Sequence, residues 1–151
     1  MKRNFIMKQK VLLNIKSTHI VKGMAAEDME YNVSGFYEFE DGMHKINYEE
    51  IADDKSSLIK NTFTFNDKSA SLIRRGFVDS SMDFRPGEDM NPALYKTAYG
   101  DIDMGVRTYA VDICRNNDSI TADIHYSLYT GEMLLSECKL VISIYNATFE
   151  I

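Results

Sequence analysis

Arg74 and a group of hydroxyl-bearing side chains are the residues of this sequence best suited to hold a ligand. Tyr95, Thr97 and Tyr99 lie further along the chain than Arg74, and Tyr48 lies before it. A guanidinium is a planar fork of N–H donors that can hold a carboxylate or phosphate through two parallel hydrogen bonds. Phenol and threonine hydroxyls add donors and acceptors. We therefore take these five residues as the candidate ligand-binding site.

Arg74 also has a purely structural interpretation. Buried charges in proteins are usually paired, and the neighbouring acids Glu49 and Glu50 lie on an earlier predicted strand. An ion pair between Arg74 and one of these two glutamates would satisfy a buried charge without any ligand. For Arg74 taken alone this pairing is the favoured interpretation, and ligand binding is the alternative.

The stretch 69–105 contains the strands that would position most of these residues. Gly76, the Arg85-Pro86-Gly87 segment and Gly100 interrupt it, and glycine and proline are typical of tight turns. Three or four short strands are therefore predicted, turning on these glycines. Antiparallel neighbours would bring Arg74 close to the tyrosine and threonine face.

The rest of the chain repeats the same pattern of alternating side chains and turns. Asp41-Gly42 lies between two alternating runs, 29–40 and 43–51, and such a pair predicts a hairpin with a type I′ turn. Gly131-Glu132 predicts another hairpin. No apolar stripe of helical period persists for ten residues, so we expect an all-β chain with little or no helix. Short connections favour an antiparallel up-and-down β-barrel of about eight to ten strands.

The two cysteines, Cys114 and Cys138, lie on separate predicted strands. Neither belongs to a Cys-x-x-Cys motif, so a zinc or redox motif has no support. We expect both thiols to be reduced and buried. Free thiols, together with the absence of a secretory signal or a membrane-spanning apolar run, predict a cytoplasmic protein that does not enter a membrane.

Composition describes an ordinary globular chain. The sequence has 151 residues, of which 44% are hydrophobic and 26% charged, and a chain of this length can bury one sizeable core. We expect a lead-in at 1–9 that is disordered in part or in whole, one barrel domain at 10–145 and a tail at 146–151. The formal net charge of −6 argues against a nucleic-acid partner, because such proteins carry basic patches.

No residue set indicates a metal, a cofactor or catalysis. His19, His44 and His125 come from three different predicted strands, and their spacing matches no metal-binding motif. The sequence also lacks a nucleophile elbow, a glycine-rich phosphate loop and a dinucleotide-binding fingerprint. We therefore expect no metal, no cofactor and no catalytic residue, and we favour a protein that is not an enzyme.

Several short segments resemble one protein family. They include Val11-Leu12-Leu13, Gly35-Phe36-Tyr37, Leu72-Ile73-Arg74-Arg75-Gly76, Met82-Asp83-Phe84 and Tyr95-Lys96-Thr97-Ala98-Tyr99-Gly100. Their order and spacing over about residues 10–144 resemble the YwiB-like family, bacterial proteins of uncharacterised function. The resemblance implies a fold similar to the calycins, the barrels that include lipocalins. The sequence departs from the family pattern at Ala98, where a proline is usual, and at Arg75. The resemblance implies no catalytic assignment.

These observations lead to one preferred function and two alternatives. The preferred function is binding of a small, partly apolar or anionic ligand by the barrel. The first alternative is an interaction module with a filled barrel, in which an exposed face pairs two copies as a homodimer or binds a protein partner. A hydrolase or isomerase on the same barrel is a weaker alternative.

Overall fold

The computed structural model of the protein consists of ten β-strands. It describes residues 8–51, 57–76, 79–97 and 99–145. The strands are β1 (Gln9–Ile20), β2 (Glu27–Glu40), β3 (Met43–Ile51), β4 (Leu58–Phe65), β5 (Ala70–Gly76), β6 (Asp79–Phe84), β7 (Asn91–Thr97), β8 (Gly100–Arg115), β9 (Ser119–Thr130) and β10 (Met133–Tyr145). The lead-in predicted at 1–9 lies outside the described residues except for its last two, and the predicted tail at 146–151 lies outside them completely.

The strands form one closed antiparallel barrel. Each strand pairs with the next along the chain, and β1 pairs with β10 to close the wall. The predicted all-β up-and-down barrel is therefore confirmed, with a strand number at the top of the expected range. The described part of the chain contains no helix long and apolar enough to cross a membrane.

Residues with positive φ lie at several of the turns and strand ends predicted from the sequence. Asp41 and Gly42 adopt φ of 53° and 79°, which is the pair of positive values that a type I′ turn requires. Gly76, Gly87 and Gly100 also have positive φ and end β5, follow β6 and begin β8. The hairpins predicted from these residues are present.

The two ends of the barrel differ in the strand connections that they carry. The upper end is where β1 ends and β2 begins, and the lower end carries the Asp41-Gly42 turn. Fully buried apolar side chains fill the middle and lower part of the barrel, because alternate residues of every strand point inward. They include Val11, Leu13, Ile46, Phe63, Phe65, Phe84, Ile120, Ile124, Ile142 and Ile144.

A β-bulge interrupts the alternation of β8. Thr108 is paired with Tyr126 and Ala110 with His125, so Tyr109 is an extra residue without its own partner in the ladder. The inward face therefore passes from Val106 and Thr108 to Val111 instead of continuing through Ala110. A bulge changes the face that the following residues occupy.

The bulge also explains why one cysteine is not where we expected it. Cys138 is buried, but Cys114 is exposed, so the expectation of two buried thiols is wrong for Cys114. With Val111 facing inward, Cys114 lies three residues further along the strand and faces outward. Without the extra residue in β8 it would have faced the core.

The ladder between β2 and β3 stops before either strand ends. It runs from Glu40–Met43 to Gly35–Tyr48, while β2 continues back to Glu27 and β3 continues to Ile51. Gly35 is needed at this point, because a Cβ there would lie 2.8 Å from the carbonyl oxygen of Asn47. Side chains rather than backbone pairs connect the two strands above this point.

Candidate ligand-binding site

Arg74 lies inside the upper end of the barrel as part of a hydrogen-bonded triad. Its Nη2 donates to Oε1 of Glu50 at 3.0 Å, and its Nε donates to Oδ1 of Asn61 at 3.2 Å. Asn61 closes the triad by donating from Nδ2 to the same Glu50 oxygen at 2.9 Å. The structural interpretation of Arg74 is thus correct, with Glu50 as the partner, while Glu49 is exposed on the outer face.

Strand register brings these three residues together. Tyr48 pairs with Asn61, and Asn61 pairs with Arg74, so three neighbouring strands place their side chains in one inner row. Glu50 lies two residues beyond Tyr48 and faces inward because side chains alternate. The side chains of Arg74 and Glu50 are 27% and 22% exposed, so solvent reaches the pair from the upper end.

Two tyrosines extend the triad across the gap between β2 and β3. The Tyr31 hydroxyl is hydrogen-bonded to the Tyr48 hydroxyl, and it donates to the Glu50 carboxylate, which can only accept. Burial, and next the negative charge of Glu50, raise the pKa of Tyr31 to about 12. Burial also raises the pKa of Tyr48 well above its ordinary value. Both phenols are therefore neutral hydrogen-bonding groups at physiological pH.

The opposite wall of the upper end carries a second polar group around Cys138. Its Sγ lies 3.3 Å from His19 Nδ1 and 3.2 Å from Ser136 Oγ, and it is hydrogen-bonded to the Tyr126 hydroxyl. Burial raises the pKa of the Cys138 thiol and of the Tyr126 phenol. The thiol is therefore protonated at neutral pH, which does not suit a nucleophile.

Thr108 carries an unsatisfied hydroxyl next to this second group. The residue is 4% exposed, and its Oγ1 has no hydrogen-bond partner among the described residues. Because Thr108 is paired with Tyr126, both side chains point to the same inner side of the sheet. Burial raises the pKa of Tyr126, and the positive charge of Arg74 acts in the opposite direction. The wall that carries Arg74 therefore faces the wall that carries Thr108 and Tyr126.

The five residues proposed from the sequence are only partly brought together. Arg74 and Tyr48 lie in the inner row, and Tyr95 continues that row through Ser80, about 10 Å from Arg74 at the usual strand spacing. Thr97 forms the last pair of its ladder, opposite Gly100, and its side chain lies outside the described part of the chain. Tyr99 is completely exposed in the turn after β7.

Several residues of the site were not predicted, although their positions in the sequence indicate a buried polar group. Asn61, Thr108 and Tyr126 are polar or amphipathic residues on strand faces that are otherwise apolar, and a buried polar side chain requires a partner. The face of Asn61 contains Ile59 and Phe63. A polar residue at such a position was the available indication of an internal polar cluster.

A groove of about 620 Å³ lies on the outer face of the sheet near the triad. Its walls include Ser34, Phe36, Asn47, Thr62, Ile73 and Arg75, and Tyr48 and Asn61 also border it. The Thr62 hydroxyl donates to Asn47 Oδ1 at 2.8 Å across its floor. The same strands therefore carry the triad inside and this groove outside.

Exposed apolar side chains are concentrated around the upper end. They occupy the ends of strands and the turns that surround the triad. We call them the apolar rim: Ile20, Val21, Met24, Met29, Ile51, Leu58, Tyr99, Ile102, Met133, Leu134 and Leu135. Large exposed apolar patches mark ligand or partner contacts in soluble proteins.

A separate polar cluster closes the lower end around His44, which is 1% exposed. Arg115 Nη2 lies 3.1 Å from His44 Nε2 and Tyr37 Oη lies 2.7 Å from Nδ1. A guanidinium can only donate hydrogen bonds, so His44 Nε2 is the acceptor for Arg115. The proton of the neutral ring is then on Nδ1, which donates a hydrogen bond to the Tyr37 oxygen. Burial, and next the charge of Arg115, lower the pKa of His44 to about 4.

The three histidines do not form one site. His44 lies inside the lower end and His19 lies at the upper end, whereas His125 is exposed on the outer wall. Among the described residues no three His, Cys, Asp or Glu side chains are grouped as a metal site requires.

Comparison with known proteins identifies the family. The sequence matches the family model of a domain of unknown function, DUF1934, over residues 13–142. The fold is similar to the crystal structure of the YwiB protein from Bacillus subtilis, with a TM-score of 0.81, 19% sequence identity, and coverage of 95% of this chain and 96% of that chain. No curated protein matches the sequence. The family match covers most of the chain and confirms the resemblance noted in the sequence: this chain belongs to the DUF1934 family of YwiB-like proteins.

Proposed function

We propose that the protein binds a small, partly apolar molecule at the upper end of its barrel. The inner polar groups offer donors and acceptors, and the apolar rim surrounds them. The core below is filled by side chains such as Phe63 and Ile124, each 0% exposed. The ligand is therefore held at the mouth of the barrel rather than enclosed deep within it.

The buried hydroxyl of Thr108 is the observation that carries this proposal. Burying a hydroxyl without a hydrogen bond costs about 1–3 kcal/mol, so such groups are rare in folded proteins. The bulge at Tyr109 directly follows this residue, and bulges occur next to functional sites, where they change the direction of a side chain. A bound polar group at the upper end would satisfy Thr108.

Replacing Thr108 with valine tests the proposal directly. Valine has the same shape without the hydroxyl, so we expect Thr108→Val to stabilise the ligand-free protein by about 1 kcal/mol. Urea unfolding measures this change. The matched control is Thr121→Val, because the Thr121 hydroxyl lies 3.1 Å from Ser143 Oγ. The free energy of unfolding of the control variant should fall by about 1 kcal/mol.

A ligand screen completes the test. Thermal-shift and native-mass measurements against fatty acids, acyl phosphates, nucleotides and neutral amides and alcohols should identify compounds that stabilise the wild type. Thr108→Val should weaken their binding, and Thr121→Val should not. If Thr108→Val destabilises the protein as much as its control does, the hydroxyl already has a partner and the proposal loses its support.

The proposal includes a calycin-like type of binding barrel and a cytoplasmic location. The closed up-and-down wall supports the first. The exposed free thiol of Cys114 supports the second, because disulfides form in oxidising compartments and a free surface thiol suits a reducing one.

The apolar rim also supports a second candidate, an interaction module that pairs two copies of the chain or binds a protein partner. Residues such as Met24, Ile51 and Met133 are 70%, 68% and 66% exposed, and covering them would be favourable. If they pair two copies, light scattering at micromolar concentration should give the mass of a dimer. A strictly monomeric protein would remove the homodimer.

A further inference from the structure

We propose that the site accepts an uncharged hydrogen-bonding ligand and that Glu50 is the residue that excludes anions from it. This inference rests on the proposed binding function and adds the chemical class of the ligand. It assigns a specificity role to a residue that the sequence offered only as a structural partner of Arg74.

The Glu50 carboxylate occupies the place that a ligand carboxylate would take on Arg74. Its Oε1 accepts from Arg74 Nη2 at 3.0 Å and from Asn61 Nδ2 at 2.9 Å. A second carboxylate beside Glu50 would meet a like charge at close range, which weakens binding in a partly desolvated site. An anion that took this place on Arg74 would have to displace Glu50 from the triad.

The other groups that face the upper end favour a neutral ligand. The phenols of Tyr31, Tyr48 and Tyr126 hydrogen-bond while uncharged, and the hydroxyls of Thr108 and Ser80 are buried in the same region. Hydroxyl groups both donate and accept, and an amide or alcohol does the same. A neutral ligand can therefore satisfy Thr108 without breaking the ion pair.

Charge around the mouth also opposes anions. Exposed acids outnumber exposed bases at the strand ends and turns of the upper end. The acids are Glu27, Asp28, Glu30, Glu49, Asp101, Asp103 and Glu132, and the bases are Lys16, Lys22, Lys60, Arg75 and Lys96. The whole chain carries −6. A field of this sign slows the approach of anions and not of neutral molecules.

The test compares benzamide with benzoate, which have nearly the same shape and differ in charge. We expect the wild type to bind benzamide roughly tenfold or more tightly than benzoate, measured by titration calorimetry and thermal shift. Glu50→Gln leaves Arg74 without its counter-charge but keeps an amide oxygen for hydrogen bonding. In this variant benzoate should bind roughly tenfold or more tightly than in the wild type, so the preference for benzamide over benzoate should be lost.

Two control variants separate the role of Glu50 from a general charge effect. Glu49→Gln removes the same charge one residue away on the outer face, and it should leave the preference for benzamide unchanged. Adding Arg74→Met to Glu50→Gln should abolish the gain in benzoate binding. Thermal unfolding of each variant without ligand verifies that it folds, and benzoate should raise the melting temperature of Glu50→Gln most.

Each result has a defined meaning. Equal binding of benzoate and benzamide by the wild type overturns the inference but leaves the binding function standing. The same is true if Glu49→Gln gains benzoate affinity as Glu50→Gln does. If neither compound binds the wild type or any variant, and the wider screen finds no ligand, the proposed function falls and this inference with it.

Discussion

Replacing Gly76 with alanine is expected to cost about 3–5 kcal/mol of folding stability. The residue has φ of +128°, a conformation that L side chains rarely adopt. A Cβ at this position would also collide with the carbonyl oxygen of Leu58 on the neighbouring strand. Because that oxygen is backbone within a ladder, it can move only if the strand moves. Urea unfolding monitored by circular dichroism would measure the loss.

Gly87→Ala is the matched control for this prediction. Gly87 has φ of +85°, but a Cβ there would have nothing within 4 Å. It should therefore show only the conformational penalty, about 1–2 kcal/mol. Equal effects of the two substitutions would mean that the close approach to Leu58 is not important.

Acid is expected to weaken the fold by about 2–3 kcal/mol through His44 alone. Burial and Arg115 lower the pKa of this residue from 6.5 to about 4, so between these values the unfolded chain binds a proton that the folded protein does not. The stabilisation is complete above pH 6.5 and is lost as the pH falls toward 4. Unfolding free energies at pH 7.5 and pH 4.5 measure this loss.

Two glutamine variants isolate the contribution of His44. His44→Gln removes the titrating group but retains an oxygen for Arg115 and an amide for Tyr37, so its stability should fall about 2–3 kcal/mol less on acidification. His125→Gln makes the same change on the exposed wall. On acidification it should lose as much stability as the wild type. If His44→Gln also follows the wild type, the acid sensitivity arises from other groups.

Local patterns were sufficient to predict the strands and most turns. Side-chain alternation predicted β1, and the Asp-Gly pair predicted the hairpin at 41–42, because both effects act between residues close in sequence. The barrel followed from the number of strands and the short connections. Strand ends were less certain, and this explains Tyr99. Alternation from Tyr95 placed Tyr99 on the same face, but β7 ends at Thr97 and the turn carries Tyr99 outward.

The bulge in β8 is the feature that alternation could not predict. An inserted residue leaves no consistent mark in sequence, since Tyr109 and Ala110 are both compatible with a regular strand. Free cysteines are usually buried, so the sequence favoured a buried Cys114, whereas the strand beyond the bulge places that thiol on the outer face.

The candidate site was predictable in part. The sequence identified Arg74 and offered two glutamates as partners, but it did not decide between them. The choice between Glu49 and Glu50 depends on which face of β3 is turned inward. The register that pairs Tyr48 with Asn61 settles this, because Glu50 lies on the same face as Tyr48. The facing position of Thr108 and Arg74 depends on barrel closure between strands distant in sequence, which no local pattern encodes.

Closure through β1 and β10 also has a consequence for how the molecule assembles. Leu12 pairs with Tyr145 and Leu13 with Ile144, so the final seam joins segments separated by nearly the entire polypeptide. Nine hairpins can form from strands that are neighbours in sequence, whereas this seam requires closure of a loop that spans nearly the whole chain, and such long-range pairing makes folding slow. Until this seam forms, both outer strands present unpaired backbone groups, and such edges can pair with another chain and promote aggregation.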